Sequence, residues 1–292
     1  MAALRSHPMG LSGLLSVAGL PWLASCLMFI VLVRLARSRT AAGIEAAAGM
    51  AAAVGLVVGL LGATRVLRWA PPQWLGGSSW LPWVAVLATV CMAGLASPAW
   101  PPAVARGFPW GWAVLASGVA LFPISEPGLV RGLVVVASTV IAGGLWSRAR
   151  SESTGPLVAW RGAGWVLTGC AAAASLALSG QRTQGVLVLL GVATFAGTLL
   201  GGRWLGQSPA TRGALPAFCL LVPPALLTGA LLQGTPLGWC AAALQVAALG
   251  LAGAPERTAA AGPRGPGLGW ARLGSVLLLA LGGLSLAWWG QT

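Results

Sequence analysis

The sequence predicts an all-α fold, a polytopic integral membrane protein of about ten transmembrane helices with no soluble domain. Three observations predict it. Of 292 residues, 57% are hydrophobic and only 7% are charged. A soluble globular domain carries about 25% charged residues, so this supply cannot cover a water-facing surface. Mean hydropathy is +0.85, and the apolar residues fall into runs near the roughly 20 residues a helix needs to cross about 30 Å of hydrocarbon. Membrane β-strands alternate over about ten residues; these runs do not.

Taken in order, the runs without Arg are ten. Leu11–Val33 closes on Arg34. It contains Leu23-Ala24-Ser25-Cys26, which resembles a lipoprotein cleavage box with Cys26 as the lipidated residue. Its apolar run nevertheless continues through Leu27–Val33, past the 7–15 residues of a signal-peptide core, so a span is expected. Around Ile44–Thr64, Gly43, Ala47, Ala51, Gly55, Gly59 and Ala63 recur every fourth residue. In lipid, helices associate through close backbone approach, and this stripe is expected to form a helix-packing seam. Trp80–Ala96 ends ahead of Pro98. Trp110–Ile124 is short and contains Pro123, which leaves a re-entrant segment, and nine spans, as the alternative. Gly132–Trp146 lies between Arg131 and Arg148, and Gly162–Ser179 between Arg161 and Arg182. Gly185–Gly202 repeats the small-residue spacing at Gly197 and Gly201. Leu215–Leu232 carries Pro223-Pro224, two missing donors expected to break the helix and free carbonyls toward a cavity. Leu237–Ala254 carries Gln245 at mid-span, a polar contact for that same cavity. Leu273–Trp289 follows Arg272.

The formal net charge of +13 comes from 17 basic residues, all Arg, against four acidic ones, all Glu. The arginines stand singly, in pairs or in threes between apolar runs, which points to anionic head groups and away from nucleic acid. Connections after the odd-numbered spans hold Arg34, Arg37, Arg39, Arg106, Arg148, Arg150, Arg161, Arg203, Arg212, Arg257, Arg264 and Arg272. The opposite side holds Arg5, Arg65, Arg68, Arg131 and Arg182. With positive charge retained in the cytoplasm, ten spans place both termini outside. Nine spans move only the N-terminus inside. The lipid bilayer, specifically a bacterial cytoplasmic (inner) membrane, is the expected location, with the C-terminus outside. Tryptophans near the run ends, among them Trp80, Trp83, Trp110, Trp112, Trp146, Trp204, Trp288 and Trp289, are expected to form interfacial belts.

The sequence is poor in chemistry. Glu126, Glu152 and Glu256 fall in connections, and Glu45 sits at a span start, where it is expected to cap the helix N-terminus. His7 is the single histidine, so paired haem ligation and a multi-imidazole zinc site are not expected. Cys26, Cys91, Cys170, Cys219 and Cys240 lie within spans without a CxxC pair and are expected to pack as small hydrophobes. Gly10-Leu11-Ser12-Gly13 resembles the GxSG of rhomboid proteases but has no histidine on another span to activate the serine. No P-loop or dinucleotide-binding glycine pattern is present. No catalytic residue, metal or cofactor is expected.

These features predict one transmembrane domain over 1–292 serving as a structural or accessory subunit beside other membrane protein subunits. The alternative is a permease-like transporter of a small apolar or weakly polar solute. It would divide into inverted five-helix halves, 1–150 and 151–292, with Pro223, Pro224 and Gln245 lining its cavity. In size and number of spans it resembles drug/metabolite-type carriers, although its termini are expected on the other side.

Overall fold

The computed structural model describes residues 15–36, 40–67, 77–95, 102–121, 128–151, 158–207, 210–253 and 267–290. Among these residues the regular structure is helical and there is no strand. A short π-turn, Leu15–Gly19, leads into α1 (Leu20–Ala36). It is followed by α2 (Ala41–Leu67), α3 (Gly77–Leu95), α4 (Pro102–Leu121) and α5 (Gly128–Ser151). The second half comprises α6 (Val158–Leu178), α7 (Arg182–Trp204), α8 (Ala210–Gln233), α9 (Pro236–Ala252) and α10 (Gly267–Trp289). Each apolar run thus corresponds to one helix. Six of them, α1, α2, α5, α7, α8 and α10, contain segments long and apolar enough to cross a membrane, and the apolar stretches of α3 and α9 are shorter.

Several helices extend past the runs that predicted them, because a helix does not stop where arginine begins. The clearest correction is α4. Its apolar run starts at Trp110, but the helix starts at Pro102 and passes through Arg106 and Pro109. Proline suits the first turn, where its missing N–H has no partner to lose. Pro123 lies outside the described residues. In the same way α6 begins ahead of Arg161, and α5 runs past Arg148. An arginine stem can lie along an apolar helix with its head in a polar layer.

Local chemistry accounts for the tight turns. Gly180, Gly206 and Gly234 adopt φ of 78°, 67° and 62° after α6, α7 and α8, a left-handed conformation that glycine enters without a Cβ penalty. Thr235 then caps α9, its Oγ1 accepting from Gly238 N at 3.1 Å, with Pro236 at the first helical position.

The bundle is organised around α8. Every described side chain from Gly213 to Leu231 is buried, because α2, α3, α4, α5, α6, α7 and α9 all pack on it. α1 packs on α2 and α7, and α10 on α6 and α9. The place of α8 is not shared by α3, the corresponding helix of the first five, which packs chiefly on α2, α4 and α8.

Consecutive helices run up and down, and contacts at one end show this. Space for a Cβ is closed at Gly213 by Glu45 and Ala48, at Gly201 by Phe29, at Gly162 by Leu199, at Gly164 by Ala252 and at Gly253 by Leu145. Phe108 at the start of α4 meets Trp146 near the end of α5 edge to face. The ends of α1, α5, α7 and α9 therefore meet the starts of α2, α4, α6 and α8. Of the arginines whose side chains are described, Arg34, Arg106, Arg148, Arg161, Arg203, Arg212 and Arg272 lie at this end, and Arg131 and Arg182 at the other.

Candidate functional site

The α8 prolines stand in the core. The helix continues unbroken through Pro216, Pro223 and Pro224, which corrects the expected break: the helices packed around it hold those turns in place. Pro223 and Pro224 still remove two donors, so the carbonyls of Cys219 and Leu220, four residues upstream, lose their usual partners. Both residues are fully buried, as is the rest of that turn.

Gln245 lies fully buried in α9. Its Nε2 donates to the Ala280 carbonyl of α10 at 3.0 Å, and Gly283 provides the clearance, since a Cβ there would stand 2.8 Å from Nε2. The amide therefore ties α9 to α10. Its Oε1 has no partner among the described residues.

A pit opens at the arginine-poor end, between the C-terminal ends of α6, α8 and α10 and the start of α9. Its lining includes Ser175, Ser179, Gln233, Ala241, Ala242 and Ala287, but not Pro223, Pro224 or Gln245. The internal space is about 10 Å³, the room of one water molecule. Sequence reasoning missed Ser175: two hydroxyls, Thr168 and Ser175, among 21 helical residues carry no periodic signal.

The small-residue stripe of α2 is placed against two helices. Gly43 is half-buried, and Ala47, Ala51, Gly55, Gly59 and Ala63 are buried. A Cβ at Gly55 would meet Ser25 Cβ at 2.8 Å, Pro21 O at 3.0 Å and Thr194 Cγ2 at 3.1 Å, and one at Gly59 would collide with Leu190. On the facing α7, Gly197 lies against the Trp22 backbone and Ser25. Ser25 Oγ donates to the Thr194 carbonyl at 3.1 Å, so α1 is seated in a notch between α2 and α7. Cys26 lies in this notch, 4% exposed, its carbonyl 3.2 Å from where a Cβ on Gly201 would stand.

Glu45 departs from its expected role. Thr40 caps α2 instead, its Oγ1 accepting from Gly43 N at 3.2 Å. Glu45, a turn further in, pairs with Arg212 of α8 at 3.8 Å between Oε1 and Nη1. Sequence could not reveal this pair, whose members are remote along the chain. His7, Glu126, Glu152 and Glu256 lie outside the described residues. Among the described residues no group of three or more His, Cys, Asp or Glu is placed to hold a metal ion.

The cysteines divide. Cys26 and Cys219 are buried, whereas Cys91, Cys170 and Cys240 face outward from the bundle. Tryptophan also corrects the expectation in part. Trp204, Trp288 and Trp289 are exposed at helix ends, but Trp146 is fully buried against Phe108. Trp165, which the belt argument did not include, joins Phe195 and Phe218 in a buried aromatic cluster. Its Nε1 donates to the Leu249 carbonyl at 3.2 Å.

What these residues can do chemically is limited. They offer hydroxyls, an amide and backbone carbonyls, with the described charges gathered at the helix ends. No protein-family model, curated protein or solved structure matches the chain.

Proposed function

We propose that this chain is a multi-pass protein of the bacterial cytoplasmic membrane, its ten helices crossing the bilayer. It acts as a structural or accessory subunit that packs beside other membrane proteins and carries no catalytic centre. The arginine-rich end faces the cytoplasm, and the C-terminus, at the end of α10, lies outside.

The observation that carries this reading is the enclosure of α8. Its apolar stretch, Arg212–Gln233, is 94% buried among neighbouring helices. The pit lined by Leu226, Ala230 and Gln233 of α8 admits one water and does not include Pro223 or Gln245. A filled interior with apolar outer faces suits a protein that offers surfaces. A permease-like carrier instead needs a route to mid-membrane, with its site at the repeat interface.

The test has two parts. Native membranes are cross-linked and solubilised in mild detergent, and the chain is isolated and its companions identified by mass spectrometry. A stoichiometric membrane-protein partner is expected; a chain that isolates alone and moves a solute in proteoliposomes overturns the subunit reading. The membrane reading is tested separately at Cys170, which faces outward from the middle of α6. With the other cysteines replaced by serine, a charged maleimide should leave Cys170 unmodified in sealed and in opened vesicles, because thiolate does not form in hydrocarbon. Rapid modification would place that face in water and overturn the assignment.

A further inference from the structure

The pit at the arginine-poor end has a built polar floor. Ser175 is 5% exposed, and its Oγ is buried with no hydrogen-bond partner among the described residues. An orphaned hydroxyl in an apolar setting is costly, so it calls for an occupant. The walls are Leu176, Leu226, Ala230, Ala241, Ala242 and Ala287, alkyl groups that favour no charge. At the rim stand Ser179, whose Oγ donates to the Leu176 carbonyl at 3.0 Å, and Gln233, whose amide covers Gly238. The space fits one uncharged group of the size of a water or a hydroxyl.

The depth of the pit narrows the source. Ala287 lines it, and the next two residues, Trp288 and Trp289, are 58% and 73% exposed. Paired exposed indoles at a helix end settle at head-group level, which sets the mouth of the pit at the same level.

We propose that the pit binds a single uncharged hydroxyl of a lipid head group, with Ser175 Oγ as its hydrogen-bond partner. The inference rests on the membrane reading but not on the subunit role.

The experiment uses the purified full-length chain in detergent, with native mass spectrometry counting retained lipids. Two probes are offered in equal amounts: phosphatidylglycerol, and phosphatidylmethanol, which has the same charge and chains but no hydroxyl. The wild-type chain should retain phosphatidylglycerol about fivefold better, the size expected of one net hydrogen bond. Ser175→Ala removes the partner, and Ala242→Leu fills the space; each should abolish the preference. Ser285→Ala, on an exposed hydroxyl of α10 already bonded to the Leu281 carbonyl, should preserve it. Ser175→Ala alone suffices if Ala242→Leu does not fold. Equal retention of the two lipids by the wild-type chain, or an unchanged preference in Ser175→Ala, overturns the proposal. A preference erased by excess free glycerol assigns the hydroxyl to a soluble polyol and overturns the lipid source. A failure of the membrane reading would show earlier, as a chain extracted into buffer without detergent.

Discussion

Seating a methyl group at Gly55 is predicted to loosen α1 from the bundle. The three atoms nearest that methyl would stand at 2.8, 3.0 and 3.1 Å, where carbon–carbon contact is best at about 3.5–4.0 Å. One of the three is the backbone carbonyl of Pro21, which cannot rotate aside. Relief requires α1 to move outward by several tenths of an ångström, and that stretches the 3.1 Å bond from Ser25 Oγ to the Thr194 carbonyl. Overpacking costs about 1–3 kcal/mol, and weakening that bond adds up to about 1 kcal/mol. Replacing glycine within a helix returns about 1 kcal/mol. These terms span about 0–3 kcal/mol with a centre at about 1.5, so Gly55→Ala should destabilise the protein, and Gly55→Leu should prevent α1 from docking. Gly111 of α4 is the control, because no atom would lie within 4 Å of its Cβ. Gly111→Ala should be neutral or stabilising by up to about 1 kcal/mol. Ser25→Gly removes the carbon nearest the clash, so combined with Gly55→Ala it should recover about 1 kcal/mol relative to additivity. The assay is unfolding by sodium dodecyl sulfate titration in mixed micelles. If Gly55→Ala is no less stable than Gly111→Ala, or if it adds simply to Ser25→Gly, the notch is not where α1 gains its hold.

Three further outcomes are expected in the same titration. Thr40→Ala removes the α2 cap and should cost about 1 kcal/mol, while Thr40→Asp should cost little; an equal loss in both would show that the Gly43 N–H is satisfied elsewhere. Glu45→Gln and Arg212→Gln should each cost at most about 1 kcal/mol, since the pair is long and partly screened, and the double variant should lose little more than the worse single one. Full additivity would mean that the two charges do not feel each other. Gln245→Met, which exchanges both amide groups for apolar atoms of similar size, should stay within about 1.5 kcal/mol of wild type. Gln245→Ala, which leaves a void beside Gly283, should cost about 2 kcal/mol or more; the reverse order would point to a polar role for Oε1.

The existence of the ten helices among the described residues is legible, because each occupies its own apolar run and is separated by Pro, Gly or Arg. Their boundaries are less so. Arginine marks where the surroundings turn polar, not where a backbone stops being helical, and α4 shows the difference by starting at Pro102 ahead of Arg106. The four-residue spacing in α2 located the side that faces α1 and α7. It could not name Pro21, Ser25, Leu190 or Thr194 as the neighbours, since those contacts depend on how distant helices come together. Glu45 follows the same rule: a carboxylate near a helix start suits the helix dipole, but its partner arrives from α8. The place of Trp146 in the sequence points to a belt, and the packing of α4 on α5 buries it.

Hydropathy also fails to tell inside from outside, and the reason bears on what this chain is. The apolar stretch of α8 has mean hydropathy 2.0 and is 94% buried, whereas that of α5, Gly128–Arg148, has 1.8 and is 28% buried. On α5, Leu129, Leu133, Val136 and Val140 are each more than half exposed and repeat at helical spacing on one face. In water such a face would be driven inward, at about 25 cal/mol for each Å² of apolar surface. Hydrocarbon supplies no such drive, and position in the bundle is then decided by shape. Gly191 against Leu221 and Gly213 against Ala48 let α7 and α2 close on α8. Side chains that would hold neighbours apart are absent from those contacts. The prolines of α8 fit the same account. Their helix gives up three backbone hydrogen bonds, one at each proline, and still forms, because seven neighbours hold it in place. A chain whose most proline-rich helix is its most enclosed, and whose leucines face outward as readily as inward, fits the proposed placement in lipid, a solvent that does not discriminate between them.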